Sequence, residues 1–438
     1  MKKVLIITYY WPPSGGAGVQ RVLKLAKYFR SVGWEPVIYT ADEAEYPIID
    51  NSLFKDIPEG VTVLKQKIWE PYNLYKKFIG QKKEQKVYSG FMTDKKPSLA
   101  QKLSVFIRGN FFIPDARMFW IKPSIKYLIE ELKKNPVDAM ISSGPPHSTH
   151  LIAKGVKAKL NFPWIADFRD PWTNIDFYDQ LKLTALADRK HKRLEKSVLA
   201  KADKVVTVSW SWADDFRKIL NREIEVITNG FDEDDFSVTV PKPESKFVMA
   251  HIGSLNADRN QPVLWQALKE LLNENSEFKN DLLIRLVGKN DFSVNQSIEA
   301  SGLNQNLDLI DYLPHNEVGV LQQSAAVLML LLNNTPNIKG IIPGKLFEYL
   351  AAGNPILVVG NPAGDSARIV NETNAGAICD FDEKEKMKSV ILNFYSDWKS
   401  GKKKNYNPAI VPMESERKKY SRIKIAEKFS LLLNQLTD

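Results

Sequence analysis

The chain has little of three features that often reveal a function: cysteine, histidine and long hydrophobic runs. Its 438 residues include one cysteine, Cys379, and five histidines. A single cysteine cannot form an internal disulfide or a cysteine-based zinc site, and it fits a reducing compartment. The histidines lack metal-ligand spacing, so we expect no metal site. No stretch approaches the roughly 18 uncharged apolar residues of a membrane-spanning helix.

The first residues imitate a secretion signal without completing one. Met1-Lys2-Lys3 precedes a short apolar run, Val4 to Ile7, but the chain continues into Trp11-Pro12-Pro13 with no small-residue cleavage site. We interpret the run as a buried strand. The sequence therefore predicts a soluble, cytoplasmic protein.

The net charge of +9 is concentrated in one segment. Residues 65–108 contain eleven basic residues against three acidic ones, with aromatic residues between the lysines. A nucleic-acid-binding protein would be basic over a wider surface, so we expect no nucleic-acid partner. Lysines interleaved with aromatic rings suit an anionic membrane surface. The alternative is a solvated loop over ordinary core aromatics, because residues 44–135 show no long periodic core.

Short apolar strands alternate with helical stretches along the whole chain. The length suits two domains of about 200 residues each. The alternation predicts an α/β protein with two doubly wound, Rossmann-like parallel sheets. We place the linker at residues 232–245 and a basic amphipathic helix at Glu414 to Leu433. The predicted strands are Val4–Thr8, Glu35–Tyr39, Val137–Ser142, Trp164–Ala166, Lys204–Val208, Ile224–Thr228, Phe247–Ile252, Leu282–Val287, Leu307–Leu309, Val327–Leu331, Ile356–Val359 and Gly376–Cys379.

A loop rich in glycine follows the first strand. It runs from Tyr9 to Gly18 and leads into a helix predicted over Val19 to Ser31. A dinucleotide-binding turn would have a third glycine where Arg21 stands, so a nicotinamide or flavin site is disfavoured, although Asp42 follows the second strand. A long glycine loop instead lets a phosphate or sugar approach the backbone amides around Gly16.

Polar residues follow two further strands of the first half. His147 comes soon after one strand, and Asp167, Arg169 and Asp170 come after the next. Because the carboxyl ends of parallel strands border the ligand crevice, we expect these residues to converge beside the glycine loop. A histidine and carboxylates there can orient sugar hydroxyls or relay a proton. The alternative is that the two aspartates pair with Arg169 and cap a helix.

The stretch around which the chain is organised is a predicted helix from Lys345 to Ala352, preceded by a break at Pro343-Gly344 and stopped by Gly353. Lys345 and Glu348 lie three residues apart and share one face of this helix. Free N–H groups near Gly344 and the lysine charge attract an anion, while a carboxylate can accept two hydrogen bonds from ribose hydroxyls. The alternative is a surface helix with one ion pair.

Taken in order, these motifs resemble the family-4 glycosyltransferases of GT-B fold. The resemblance covers nearly the whole chain, and it looks like a bacterial branch associated with surface polysaccharide assembly. It implies two domains facing across a crevice: residues 1–238, with a C-terminal helix (412–438) crossing back, for the acceptor, and residues 239–411 for the donor. It rests on the glycine loop, the residues around His147, Asp167–Trp172, Asn229–Asp232 and Lys345–Gly353.

The resemblance also implies a reaction and residue roles. The reaction is a retaining, metal-independent transfer of a sugar from a UDP- or GDP-sugar to a glycan or lipid-linked acceptor, with no further cofactor. Glu348 would bind the ribose, and Lys345 and Arg259 the diphosphate. Gly16 would lie near the phosphate and acceptor, and His147 would contact the transferred sugar. The protein would be cytoplasmic, with residues 65–108 reaching the inner face of the membrane.

Two positions depart from the family pattern. Gly340 stands where the family commonly has a glutamate that contacts the donor sugar, and Ser254 stands where a basic residue is common. Two other functions remain open: a nucleotide-sugar epimerase of the same fold, and a non-catalytic nucleotide-sugar- or polysaccharide-binding partner. The sequence does not place two carboxylates as the acid and nucleophile of a glycosidase.

Overall fold

The computed structural model describes residues 1–46, 48–70, 99–236, 244–311, 313, 315–401 and 413–438. Within them the chain forms two compact units. The first contains the described residues up to 229 together with 422–438, and the second contains those from 230 to 421. The predicted domain limits, 238/239 and 411/412, lie outside the described residues and stay a prediction.

The first unit is built on a parallel sheet. Across the sheet the strand order is β3-β2-β1-β4-β5-β6-β7, and all the neighbouring strands run parallel. The apolar residues of the first strand, Val4 to Ile7, are fully buried, as expected of a sheet covered by helices on both faces. The strands are β1 Lys2–Ile7, β2 Trp34–Asp42, β3 Thr62–Lys67, β4 Ala139–Gly144, β5 Trp164–Phe168, β6 Lys204–Thr207 and β7 Glu225–Val226.

Helices connect these strands. Two of them begin at a residue whose side chain caps the helix. The hydroxyls of Thr184 and Ser209 accept hydrogen bonds from N–H groups in the first turns of the helices that follow them, which supplies partners that the helix itself cannot. The helices of this part of the chain are α1 Ala17–Phe29, α2 Leu99–Phe111, α3 Met118–Lys134, α4 Ser148–Leu160, α5 Ala185–Lys201 and α6 Trp210–Ile219.

The second unit repeats this architecture on a six-stranded parallel sheet of order β10-β9-β8-β11-β12-β13. The predicted α/β class with two Rossmann-like domains is confirmed. Its strands are β8 Phe247–Ile252, β9 Leu282–Val287, β10 Leu307–Ile310, β11 Val327–Leu331, β12 Ile356–Val359 and β13 Gly376–Cys379. Its helices are α7 Pro262–Glu274, α8 Ser276–Asp281, α9 Phe292–Ala300, α10 His315–Ser324, α11 Gly344–Ala352, α12 Asp365–Glu372, α13 Lys384–Lys399 and α14 Met413–Lys418.

The C-terminal segment is not one helix from Glu414 to Leu433, and that prediction is wrong. Helix α14 ends at Lys418, and a separate helix, α15, spans Arg422–Thr437. Between them the Tyr420 carbonyl accepts a hydrogen bond from the Phe231 N–H (3.0 Å) instead of serving a continuous helix. Helix α15 packs on α1 in the first unit, so the predicted return of the C-terminal helix is confirmed.

Residues 44–135, interpreted from sequence as an insert without a periodic core, contain regular structure. Strand β3 forms one edge of the first sheet, and helices α2 and α3 follow. Helix α3 buries Trp120, Ser124, Leu128 and Leu132 at a spacing of four, which is one face of a helix. Residues 71–98 of this stretch lie outside the described residues.

The strand order of each sheet reverses at one point. It reverses between β1 and β4 in the first sheet and between β8 and β11 in the second. In doubly wound sheets ligands bind outside the carboxyl ends of the strands at such a point. The glycine loop follows β1 and the stretch to His147 follows β4, while Gly253 follows β8 and Asn333 lies just beyond β11. In each unit, loops with glycine or polar residues therefore lie at the point of the sheet where a ligand is expected.

Candidate functional site

The glycine loop of the first unit is held against a neighbouring segment. The Gly15 N–H donates to the Ile48 carbonyl, and the Asp50 N–H donates to the Pro13 carbonyl, each at 2.9 Å. A side chain on Gly15 would lie 2.9 Å from the side chains of Asp50 and Ile48, so the packing of these residues leaves no room for one. Gly16 precedes α1 with φ of 84°, a conformation that favours glycine. These contacts fix the position of the first turn of α1, whose N–H groups have no hydrogen-bond partners within the helix.

A cavity of about 270 Å³ lies beside this loop. Its lining joins residues from the loop to residues that follow β4 and β5, so the carboxyl ends of both strands contribute to one concave surface. Small-molecule sites are commonly concave with a few polar groups. The lining residues are Tyr10, Gly15, Gly18, Ile48, Pro145, Arg169 and Asp170.

Arg169 links the parts of this cavity. Its guanidinium donates hydrogen bonds to the carbonyls of Gly18 and Pro145 and lies 5.9 Å from the centre of the Tyr10 ring. Burial raises the pKa of the neighbouring Asp170 carboxyl, although the Arg169 charge opposes this. Arg169 and Asp170 therefore place a cation and a carboxyl of altered acidity on the cavity wall.

Asp167 is fully buried and bonded to other side chains of the unit. It forms an ion pair with Arg21 at 2.8 Å and accepts a hydrogen bond from the Ser143 hydroxyl at 2.8 Å. Arg21 also donates to the carbonyls of Ile227 and Thr228. Asp167 thus pairs with Arg21 and not with Arg169, and it fixes β5 to its surroundings.

His147 lies at the start of α4 and is buried against Trp172. The two rings stack with centres 4.6 Å apart. Burial, reinforced by the other histidines nearby and by Arg169, lowers the pKa of His147 well below its ordinary value, so the ring is neutral at physiological pH. Its Nδ1 is buried without a hydrogen-bond partner in the described part of the chain. A buried polar atom of this kind calls for a ligand or a water.

The second unit contains a separate cluster around Lys345. The Lys345 Nζ lies 3.1 Å from Nε2 of His251, and Nδ1 of His251 lies 3.0 Å from the Met329 carbonyl. A carbonyl oxygen can only accept, so the His251 proton is on Nδ1 and Nε2 accepts from the lysine. Burial, with the nearby Arg259 charge, lowers the pKa of Lys345 to about 7.

Arg259 and Glu348 complete this cluster, each with a partner that orients it. Arg259 donates to the Asn333 side chain at 2.6 Å, and the Glu348 carboxylate accepts from the Gln322 amide at 3.0 Å. Within the described ranges Lys345 and Glu348 form no ion pair with each other, since Lys345 contacts His251 and Glu348 contacts Gln322. The two residues share one face of α11 but are engaged separately, unlike the simple ion pair that was the alternative.

The backbone approaches the lysine closely at Gly253. This residue has φ of 108°, and a side chain there would lie 2.9 Å from the Lys345 Nζ. Gly288 in turn packs on the backbone of Gly253, where a side chain would lie 3.1 Å from its carbonyl carbon. Two glycines therefore make room for the lysine and bring main-chain groups next to it.

Solved structures resemble the whole chain at low identity. Sucrose-phosphate synthase from Thermosynechococcus elongatus is 13% identical with a TM-score of 0.62, covering 100% of this chain and 99% of its own. WaaG, a glycosyltransferase involved in lipopolysaccharide biosynthesis, is 14% identical with a TM-score of 0.56, covering 98% and 99%. A UDP-forming trehalose-phosphate synthase from Burkholderia xenovorans is 10% identical with a TM-score of 0.61, covering 99% and 100%. These likenesses establish the GT-B fold, while no curated protein sequence matches the chain.

Two family models match consecutive parts of the sequence. The model described as Glycosyltransferase Family 4 matches residues 91–235, and the model described as Glycosyl transferases group 1 matches residues 232–408. Together the two models span residues 91–408, and the chain is a glycosyltransferase of GT-B fold. The cluster around Lys345 lies within residues 232–408, which the group 1 model matches. His147 and Arg169 lie within residues 91–235, which the Family 4 model matches.

The residues predicted for the donor half of this glycosyltransferase come together in the second unit. Lys345, Glu348 and Arg259 converge as expected, and Gly344 is exposed at the start of α11. On the first unit Gly16, Arg169 and Asp170 lie near one cavity, and His147 is buried beside it. Asp167 lies deeper, in contact with Arg21.

Sequence reasoning missed several residues of this glycosyltransferase site. His251 and Gly253 contact or approach Lys345, yet they precede it by about 90 residues and lack a distinctive motif. Arg21 was noted only as the residue replacing a glycine, and Trp172 only as the end of a motif. A signal was present for His251: it is a polar residue in the otherwise apolar strand β8, two residues before Gly253.

Proposed function

We propose that this glycosyltransferase moves a sugar from a nucleotide-sugar donor to a glycan or lipid-linked acceptor with retention, in the synthesis of a cell-surface polysaccharide. The observation that carries the proposal is the cluster of Lys345, Arg259 and Glu348 beside the glycine backbone after β8. The described role of WaaG in lipopolysaccharide synthesis and the UDP-forming reaction of the trehalose-phosphate synthase support it by analogy.

On the donor side, each residue has a distinct role in the proposal. Lys345 and Arg259 bind the diphosphate and stabilise the negative charge that develops on it as the glycosyl bond breaks. The N–H groups at Gly344, at the start of α11, add the positive end of the helix. Glu348 accepts hydrogen bonds from the ribose hydroxyls. Loss of one such charge-stabilising contact typically lowers the rate about 10² to 10³-fold.

On the first unit, some residues touch the substrate and one residue positions the side chains around it. His147 contacts the transferred sugar through its unpartnered Nδ1, which suits a hydroxyl. Arg169 and Asp170 bind the acceptor in the cavity beside Gly16. Asp167 acts as a positioning residue, because Arg21 and Ser143 already occupy its oxygens.

The proposal includes catalysis without a metal ion. Among the residues that the structure describes, none form a group of three or more His, Cys, Asp or Glu side chains able to hold a metal. The two cations of the second unit can neutralise a diphosphate in place of a metal. The donor is a UDP- or GDP-sugar, and no other cofactor is required.

A test of this function combines nucleotide binding with transfer. Thermal unfolding is measured with UDP, GDP, ADP and CMP, and the preferred base is then used in a radiolabelled sugar donor with lipid-linked acceptors. We expect one nucleoside diphosphate to raise Tm, since a ligand at 100 times its Kd stabilises by about 2.7 kcal/mol. We also expect acceptor-dependent transfer that survives excess EDTA.

Three outcomes of that test would change the assignment. Conversion of the donor sugar without acceptor indicates the epimerase. Nucleotide binding with no turnover for any acceptor indicates the non-catalytic binding partner. Turnover that EDTA abolishes and Mn²⁺ or Mg²⁺ restores contradicts the metal-independent mechanism.

The proposal places the reaction in the cytoplasm, at the inner face of the membrane. No helix in the described ranges is long and apolar enough to cross a bilayer. Support for a membrane location comes instead from the charge of residues 65–108. The structure describes residues 65–70 and 99–108 of that segment.

A further inference from the structure

Helix α2 exposes several of its described apolar side chains. It buries Ser104 and Gly109, whereas Leu103, Val105, Phe106 and Phe111 are exposed. The side that faces the unit is fixed by close packing, because a side chain on Gly109 would lie 2.9 Å from the Leu181 carbonyl oxygen. A helix on a soluble unit normally buries its apolar stripe and exposes its polar one. In α2 the arrangement is reversed.

Aromatic rings extend this surface beyond the end of α2. The Phe119 ring lies 6.1 Å from the Phe112 ring and 4.8 Å from the Trp69 ring. We call the exposed apolar set the α2 face; its side chains are between 36% and 67% exposed. Contiguous exposed apolar patches on a soluble protein usually mark an interaction site. The α2 face consists of Trp69, Leu103, Val105, Phe106, Phe111 and Phe119.

Along residues 99–126, which carry most of the α2 face, the charges are almost all positive. In residues 99–126 the only acid is Asp115, whose oxygens accept hydrogen bonds from the Ser148 N–H and hydroxyl. Glu70, next to Trp69, is turned inwards and pairs with Arg117. The exposed basic residues of that range are Lys102, Arg108, Lys122 and Lys126.

We propose that the α2 face binds the surface of an anionic lipid bilayer, with its aromatic and aliphatic side chains at the headgroup level and its basic residues against the phosphates. This deepens the membrane location proposed above and rests on it. Amphipathic helices with basic and aromatic residues lie in such interfaces, and each basic residue near the surface adds about 1 kcal/mol of attraction.

Charge favours a bilayer over a cover supplied by the chain itself. Residues 71–98 include seven basic and two acidic residues. Their net charge has the same sign as that of residues 99–126, so the two segments repel each other electrostatically. An anionic surface attracts both residues 71–98 and the basic residues beside the α2 face.

Vesicle flotation tests the proposal with the full chain and without donor or acceptor. We expect the protein to float with vesicles of phosphatidylcholine mixed with phosphatidylglycerol, weakly with phosphatidylcholine alone, and less as salt rises. The double variant Leu103→Ser/Phe106→Ser should lower partitioning by about tenfold or more, and Lys102→Ser/Arg108→Ser by a similar factor.

Matched variants elsewhere on the surface serve as controls. Leu431→Ser removes a leucine from α15 that is more exposed than Leu103, and Lys269→Ser/Lys279→Ser removes two exposed lysines from the second unit; both should float like the wild type. Equal flotation with both lipids, no flotation at all, or flotation unchanged in the α2 variants would overturn the proposal. Because no sugar transfer is measured, such a result would leave the glycosyltransferase assignment intact.

Discussion

Lys345 is the residue whose charge depends most directly on its surroundings. With a pKa of about 7, the free site loses the lysine proton as the pH rises above neutral. A bound diphosphate favours the ammonium form and raises this pKa, so binding takes up a proton. The affinity for a nucleoside diphosphate should therefore fall as the pH rises above about 7, by at most about tenfold per pH unit.

The variant Lys345→Arg is the matched control for this pH dependence, because arginine stays protonated throughout. Calorimetric titration of wild type and variant with UDP or GDP, from about pH 6 to about pH 9, separates the lysine from the titration of the ligand's own phosphate. An identical pH dependence in both proteins would mean that Lys345 does not supply the charge.

His251 supplies the acceptor that holds the Lys345 side chain in place. The neutral ring, fixed by the Met329 carbonyl, gives the lysine an uncharged acceptor 3.1 Å away. A carboxylate in that position would neutralise the lysine permanently and compete with the diphosphate. The neutral acceptor orients Lys345 and leaves its charge for the ligand.

At the scale of elements, α15 shows how the end of the chain contributes to the first unit. Phe429 of α15 is fully buried in the first unit. The Arg21 guanidinium lies 5.3 Å from the centre of the Phe429 ring. Phe429→Ala should lower the free energy of unfolding by about 3 to 5 kcal/mol. Leu431→Ala, on the exposed side of the same helix, should change it by no more than about 0.5 kcal/mol. Urea unfolding of both variants measures this, and equal effects would contradict the packing of α15.

The elements that sequence predicted best are the buried strands. In the second unit Phe247–Ile252 and Val327–Leu331 have the predicted bounds, because strands covered on both faces are continuous apolar runs between turn residues. Strand β3 was missed because it lies at an edge and alternates with exposed lysines. Helix α3 was missed because its buried stripe includes the polar Ser124 and because its sequence contains Pro123.

The sequence predicted those parts of the candidate site whose residues lie close together along the chain. Helical periodicity places Lys345 and Glu348 on one face, and strand ends group Arg169 with Asp170. The contact of Lys345 with His251 spans 94 residues, and that of Arg21 with Asp167 spans 146. Such pairings depend on the order of strands across the sheet, which no short motif contains.

At the scale of the whole molecule, two units of the same topology carry different chemistry. The first sheet ends in a cavity with a glycine loop, a neutral histidine and a buried arginine, and the second ends in a cluster of cations beside a carboxylate. This division fits an enzyme that binds its donor through the second unit and its acceptor through the first. The central claim is therefore that α11 binds both the diphosphate and the ribose of a nucleotide.

Calorimetric titration of Lys345→Ala and Glu348→Ala with a nucleoside and with the matching nucleoside diphosphate tests that claim most directly. Glu348→Ala should weaken both ligands, because both contain the ribose, whereas Lys345→Ala should weaken only the diphosphate. Hydrogen bonds to charged groups contribute about 1.5 to 3 kcal/mol, so each loss should be roughly 10- to 150-fold in Kd. If Lys345→Ala weakens the nucleoside as much as Glu348→Ala does, α11 is only a wall of the pocket and the account of the donor site is wrong.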